Sequence, residues 1–156
     1  MKSASKSTSD GVLGRVQRSY PRLRRILVPL DFSGQSRRAL RYAAPFAARF
    51  GARVVLLYVM EKPARDTKVA ATRLAAAHRR LRETALQYLS EEQIHQTIVR
   101  EGNAAREIIE TARLLQADLV TIAAESSASL SRLFKGSTAR RVLRLAPCPV
   151  LTVRKN

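Results

Sequence analysis

The sequence predicts an α/β fold built on a parallel sheet with helices on both faces. Two observations carry that expectation. Short, continuous apolar runs alternate with longer segments whose apolar residues recur at three- and four-residue steps. The segments follow one another as βα-βα-βα-βα-β without a long structureless gap. Continuous apolar runs mark strands buried on both faces, and alternation with helices specifies crossovers that cover both faces of one sheet. Ligands in such folds lie beyond the carboxyl ends of the strands, where the strand order reverses. Attention therefore falls on the loops after strands one, two and four, at residues 31–34, 59–63 and 123–136.

The first strand is Arg25-Ile-Leu-Val-Pro-Leu-Asp31, with Pro29 near its end, where a missing ladder donor matters least. Ser33 is placed to N-cap a helix running to Phe50, with Leu40, Ala43, Ala47 and Phe50 inward and Arg37, Arg38, Arg41 and Arg49 outside. Gly51 suits the residue after its C-cap. Residues 53–59 read as a second buried strand. Residues 64–89 read as a long amphipathic helix facing inward through Ala70, Leu74, Ala77, Leu81, Ala85 and Tyr88. The third strand, 94–100, alternates only loosely. Asn103 is placed to cap a helix over 104–115 with Ile108, Ile109, Ala112 and Leu115 inward. Residues 118–124 form a fourth strand. A last helix spans 137–145 and is stopped by Pro147 and Pro149 before a closing strand at 150–153.

The 156 residues suit one domain, expected over 20–156, preceded by a flexible basic tail at 1–19 whose Ser and Gly residues break any periodicity. No apolar run is long enough to span a bilayer, and the N-terminus lacks the apolar core of a secretory signal. Cys148 is the single cysteine, so no internal disulfide frames the fold, which is compatible with a cytoplasmic location. The net charge is +17. Residues 1–25 hold Lys2, Lys6, Arg15, Arg18, Arg22, Arg24 and Arg25 against Asp10, so most of the excess belongs to the domain itself. Such charge favours encounters with polyanions but specifies no site.

Several blocks, in order, resemble the universal stress protein family: Ile26-Leu-Val-Pro-Leu-Asp-Phe-Ser33 with Arg38-Ala-Leu-Arg-Tyr-Ala43; Leu57-Tyr-Val59; Glu101-Gly-Asn103; Ala117-Asp-Leu-Val120; Leu130-Ser-Arg-Leu-Phe-Lys-Gly-Ser137; and Ala146-Pro-Cys-Pro-Val-Leu-Thr-Val153. The likeness covers roughly residues 23–154, nearly all of one domain. It implies a five-stranded parallel sheet in the order 3-2-1-4-5, Rossmann-like and of the adenine nucleotide alpha hydrolase-like type. It also implies a homodimer joined through the last strand, here Val150, Leu151, Thr152 and Val153, an edge that otherwise needs covering.

One branch of that family binds ATP, with Mg²⁺, through three glycines followed by Ser or Thr, because glycine lets backbone amides approach phosphate closely. The resemblance places cofactor contacts at Pro29, Asp31, Val59, Ile122, Ala123, Ser126, Gly136, Ser137 and Thr138. Two expected glycines are replaced, by Ala123 and Ser126, and Glu125 would set a carboxylate near polyphosphate. Gly136, Ser137 and Thr138 keep the phosphate end at a helix N-terminus, and Arg132, Lys135 and Arg140 add nearby charge. Each residue also has a plainer use: Asp31 as a cap, Ser137 or Thr138 as an N-cap, Gly136 as a turn residue.

The residues point away from catalysis. His78 and His95 have no acidic or thiol partners at metal-ligand spacing, and His78 is expected on an exposed helix face. Cys148, between two prolines, reads as a small apolar residue. There is no Walker A loop and no Gly-x-Ser-x-Gly elbow. Two readings stand: a non-catalytic stress-response regulator with a degenerate ATP crevice, and a nucleotide-free dimeric regulator that acts through its surface on unidentified protein partners. Nucleic-acid binding is expected to be only non-specific, because the four Tyr and four Phe fall mostly at core-facing positions.

Overall fold

The computed structural model describes residues 22–61, 66–124 and 137–154. The expected tail at 1–19 lies outside them. Five strands, β1 (Arg25–Pro29), β2 (Arg53–Met60), β3 (Ile94–Glu101), β4 (Leu119–Ala124) and β5 (Val150–Arg154), form one parallel sheet in the order β3-β2-β1-β4-β5. Four helices connect them: α1 (Gly34–Phe50), α2 (Thr67–Leu86), α3 (Ala104–Leu114) and α4 (Ser137–Leu145), with a short 3₁₀ turn at Glu91–Gln93 before β3. The parallel α/β fold is the one the apolar pattern predicts, and the strand order is the one the family resemblance implies.

Burial on both faces explains the apolar runs. Ile26, Val28, Val54 and Leu56 pack with Leu40, Ala43, Leu81 and Ala85 under α1 and α2. Leu27, Val55, Leu57, Val120 and Ile122 point the other way, into Ile108, Ile109, Ala112 and Val142 of α3 and α4. Alternate residues of a strand point to opposite faces, so each central strand feeds two cores. Each fully buried leucine contributes about 1.5–3 kcal/mol.

Local chemistry sets the helix ends. The Ser33 hydroxyl accepts from Ser36 N at 3.1 Å and the Asn103 side chain from Arg106 N at 3.1 Å, satisfying amides that the helix leaves unpaired. Gly51 takes φ 63° and lets the chain turn into β2. Asp118, just before β4, accepts from the amides of Arg24 and Arg25, both at 2.8 Å, and so ties β4 to the start of β1.

Some expectations are corrected. α2 spans Thr67–Leu86, not 64–89, because Asp66 caps it with bonds from Lys68 N at 2.7 Å and Val69 N at 3.1 Å, while residues 87–89 close in tight turns on Ala85. The first strand ends at Pro29, although Leu30 N still bonds to Leu57 O at 2.8 Å. Leu74 is 41% exposed, because α2 rests on the sheet only from Ala77 onward. Phe50, at the last residue of α1, is 58% exposed and stacks on Phe46 at 6.3 Å instead of entering the core. Tyr42 and Phe46 are exposed as well, so the described aromatics divide between core and surface. His78 is half-buried, with Nδ1 3.3 Å from Thr97 Oγ1 of β3, and not on an open helix face.

Candidate functional site

The strand order reverses between β1 and β4, and a cleft of about 760 Å³ opens there, at the carboxyl ends of β1, β2 and β4. Its size falls in the range of small-molecule sites. Pro29, Asp31, Val59, Ile122, Ala123 and Thr138 all line it. Ser126 and Gly136 lie outside the described residues, as do Glu125, Arg132 and Lys135. Ser137 opens α4.

Asp31 is held by a local turn. Its Oδ1 accepts from Ser33 N at 2.9 Å, its own amide donates to Ser36 Oγ at 3.3 Å, and Phe32 between them adopts φ 64°. Ser33, not Asp31, caps the helix. Burial on its own would raise the Asp31 pKa. Hydrogen bonds from the Ser33 and Ser36 side chains and from nearby backbone amides outweigh it and hold the carboxyl below its ordinary 3.8. Asp31 is therefore an ionised acceptor at neutral pH, oriented before any ligand arrives.

Ala123 stands where a glycine was expected. It sits in regular β4, paired with Val153, and does not have positive φ. Its methyl adds bulk to the cleft without straining the backbone.

Other lining residues were not anticipated. Phe32 and Tyr58 pack with ring centroids 4.7 Å apart on the floor, and the Arg80 guanidinium lies 4.2 Å above the Phe32 ring. Arg73, Ala76 and Ala77 join Arg80 to form a wall from α2. The three-and-four spacing of these α2 residues was legible in sequence, but nothing local says that this stretch overhangs the strand ends.

Cys148 is half-buried against the α3/α4 core, and burial, followed by the nearby Asp118 charge, pushes its thiol above its ordinary 9.0. No group of three or more potential metal ligands occurs among the described residues. No described helix is long and apolar enough to cross a membrane.

Comparison with known proteins follows the same lines. Residues 22–154 match the pattern of the universal stress protein family. A universal stress protein of Methanocaldococcus jannaschii is 32% identical over 141 residues, covering 85% of this chain and 82% of the relative. The solved universal stress protein UspA from Lactobacillus plantarum superposes with a TM-score of 0.67 at 26% identity, covering 86% of this chain and 100% of that one. The universal stress protein from Archaeoglobus fulgidus, solved in complex with dAMP, superposes at 0.59 and 19% identity over 83% of this chain and 96% of that one, a likeness of fold.

Proposed function

The chain belongs to the universal stress protein family, and on that premise we propose that it is a non-catalytic, cytoplasmic stress-response regulator whose cleft takes an adenine nucleotide. The observation that carries this reading is the fixed, ionised Asp31 on the floor of a cleft at the sheet's switch point. An acceptor-only carboxylate suits the amino or hydroxyl donors of a base and sugar. Pro29, Val59 and Ile122 offer apolar surface beside it. Thr138, in the first turn of α4, stands where a helix N-terminus favours phosphate. The dAMP in the Archaeoglobus structure is a ligand of this chemistry in a protein of the same fold.

ATP with Mg²⁺ is the expected form of the ligand, the ion supplying charge neutralisation for the polyphosphate. The Ala123 methyl and the Ser126 replacement weaken affinity relative to a three-glycine site. The protein's own residues bind and orient; none is assigned a bond-breaking role.

Calorimetric titration with ATP and Mg²⁺, beside the Asp31→Ala variant, tests the reading. Saturable micromolar binding that survives moderate salt and is lost in the variant supports it. No binding at millimolar ATP overturns it.

The second reading is a dimer that works without nucleotide. It draws on β5, which pairs with β4 on one side and has no strand on the other among the described residues. An open edge favours pairing with a second copy. Under this reading the Ala123 methyl marks a cleft no longer in use, and the surface engages protein partners.

A further inference from the structure

We propose that the α2 wall supplies anion contacts of the cleft in addition to the α4 N-terminus, with Arg73 and Arg80 taking phosphate groups of a nucleotide whose donors meet Asp31. This rests on the nucleotide reading and assigns the charge to a wall other than the glycine-poor loop.

Arg73, Ala76, Ala77 and Arg80 recur by three, one and three residues, which puts them on one helix face. All four line the cleft. The arginines stand two turns apart, roughly 10 Å along the axis. The alanines between them leave that interval open. Where α2 goes on to cover the sheet, Leu81 and Ala85 fill the corresponding space.

Arg80 is also positioned. Its guanidinium carbon sits 4.2 Å from the centre of the Phe32 ring, and no side-chain hydrogen bond or ion pair engages it among the described residues, so its N–H donors remain for an oxyanion. The three ion pairs among the described residues engage Arg79, Arg82 and Arg113, not Arg73 or Arg80. Among the described lining residues the carboxylates, Asp31 and Glu61, follow the ends of β1 and β2, whereas the arginines belong to α2. The cleft is thus polarised: acceptors at the strand ends, donors on the helix. An adenine nucleotide has the matching polarity, with donors on base and sugar and negative charge on phosphate. The net charge of +17 attracts polyanions everywhere, but a stacked, spaced pair of arginines defines one site.

The test titrates adenosine, AMP and ATP into the wild type, an Arg73→Ala/Arg80→Ala variant and an Arg41→Ala/Arg49→Ala variant. The last loses the same charge from the exposed face of α1. Affinity is expected to rise from adenosine to ATP in the wild type and in the α1 variant. In the α2 variant ATP binding should fall at least tenfold, while adenosine binding stays unchanged. Arginine-to-alanine changes at exposed helix positions preserve helix propensity, so the α2 variant is expected to fold. If it binds ATP as tightly as the α1 variant, the wall assignment is overturned and the nucleotide reading stands. If the wild type binds neither adenosine nor ATP, the nucleotide reading fails, and tripolyphosphate decides the wall. One-to-one tripolyphosphate binding weakened only in the α2 variant supports it; equal binding in all three proteins overturns it.

Discussion

Thr121→Val should stabilise this protein. Thr121 lies in β4 with no exposed surface, and its Oγ1 has no hydrogen-bond partner among the described residues. Its strand neighbours Val120 and Ile122 enter the α3/α4 core, so alternation points Thr121 toward the α1 side of the sheet. A buried hydroxyl without a partner loses its water hydrogen bonds and gains none, at a cost of about 1–3 kcal/mol. Valine keeps the β-branched shape that strands favour and removes the polar atom. Slight crowding by the extra methyl offsets part of the gain, so a net increase of about 1–2 kcal/mol is expected. Urea unfolding at one fixed protein concentration, followed by circular dichroism, would show the midpoint rising by roughly 0.5–1 M at constant slope. An unchanged or lowered midpoint at the same slope would show that the hydroxyl is satisfied in the folded protein and would refute the argument.

Two further outcomes follow. Because the folded-state pKa of Asp31 lies below its ordinary value, its contribution to stability is fully present above that ordinary value and is lost as pH falls through the folded one. The Asp31→Asn variant should therefore show a flatter loss of stability on acidification below about pH 4, read from urea midpoints across pH; an unchanged acid limb would contradict the hydrogen-bond account of Asp31. Light scattering after size exclusion should give about twice the 17.4 kDa chain mass for the wild type, and Thr152→Lys on the open strand should shift it toward the single-chain mass with unchanged circular dichroism; a wild type that runs as a monomer at tens of micromolar sinks the β5 dimer.

Much of the fold was legible because its signals are local. Ser33, Asn103 and Gly51 act through bonds and dihedral angles within a few residues, and each occupies the place its chemistry predicted. The apolar runs were readable because burial on both faces leaves few polar positions in the central strands, Thr121 being one of them. Leu74 and Phe50 were misassigned for one shared reason: periodicity identifies a helix face but not how far the sheet beneath it extends. The start of α2 was misplaced because the periodic pattern continues past Asp66, whose capping role is visible only in the bonds it makes. In the site, Asp31, Pro29 and Val59 lie at or just beyond strand ends, and the family resemblance placed them there. The Phe32–Tyr58–Arg80 stack joins three elements distant in sequence, and no spacing rule announces such a meeting.

The sheet also separates two cores that share no buried residue, one beneath α1 and α2, the other beneath α3 and α4. The cleft is bordered by both: Phe32 and Ala77 reach it from the first side, Ile108, Ile122 and Ala139 from the second. A molecule lodged there would brace two layers that otherwise meet only through the strands. Its arrival would be felt as stiffness across the whole domain, with slower amide exchange in helix turns remote from the cleft. A partner protein need not reach into the cleft to sense whether it is filled; the rigidity of the outer helices would carry the message.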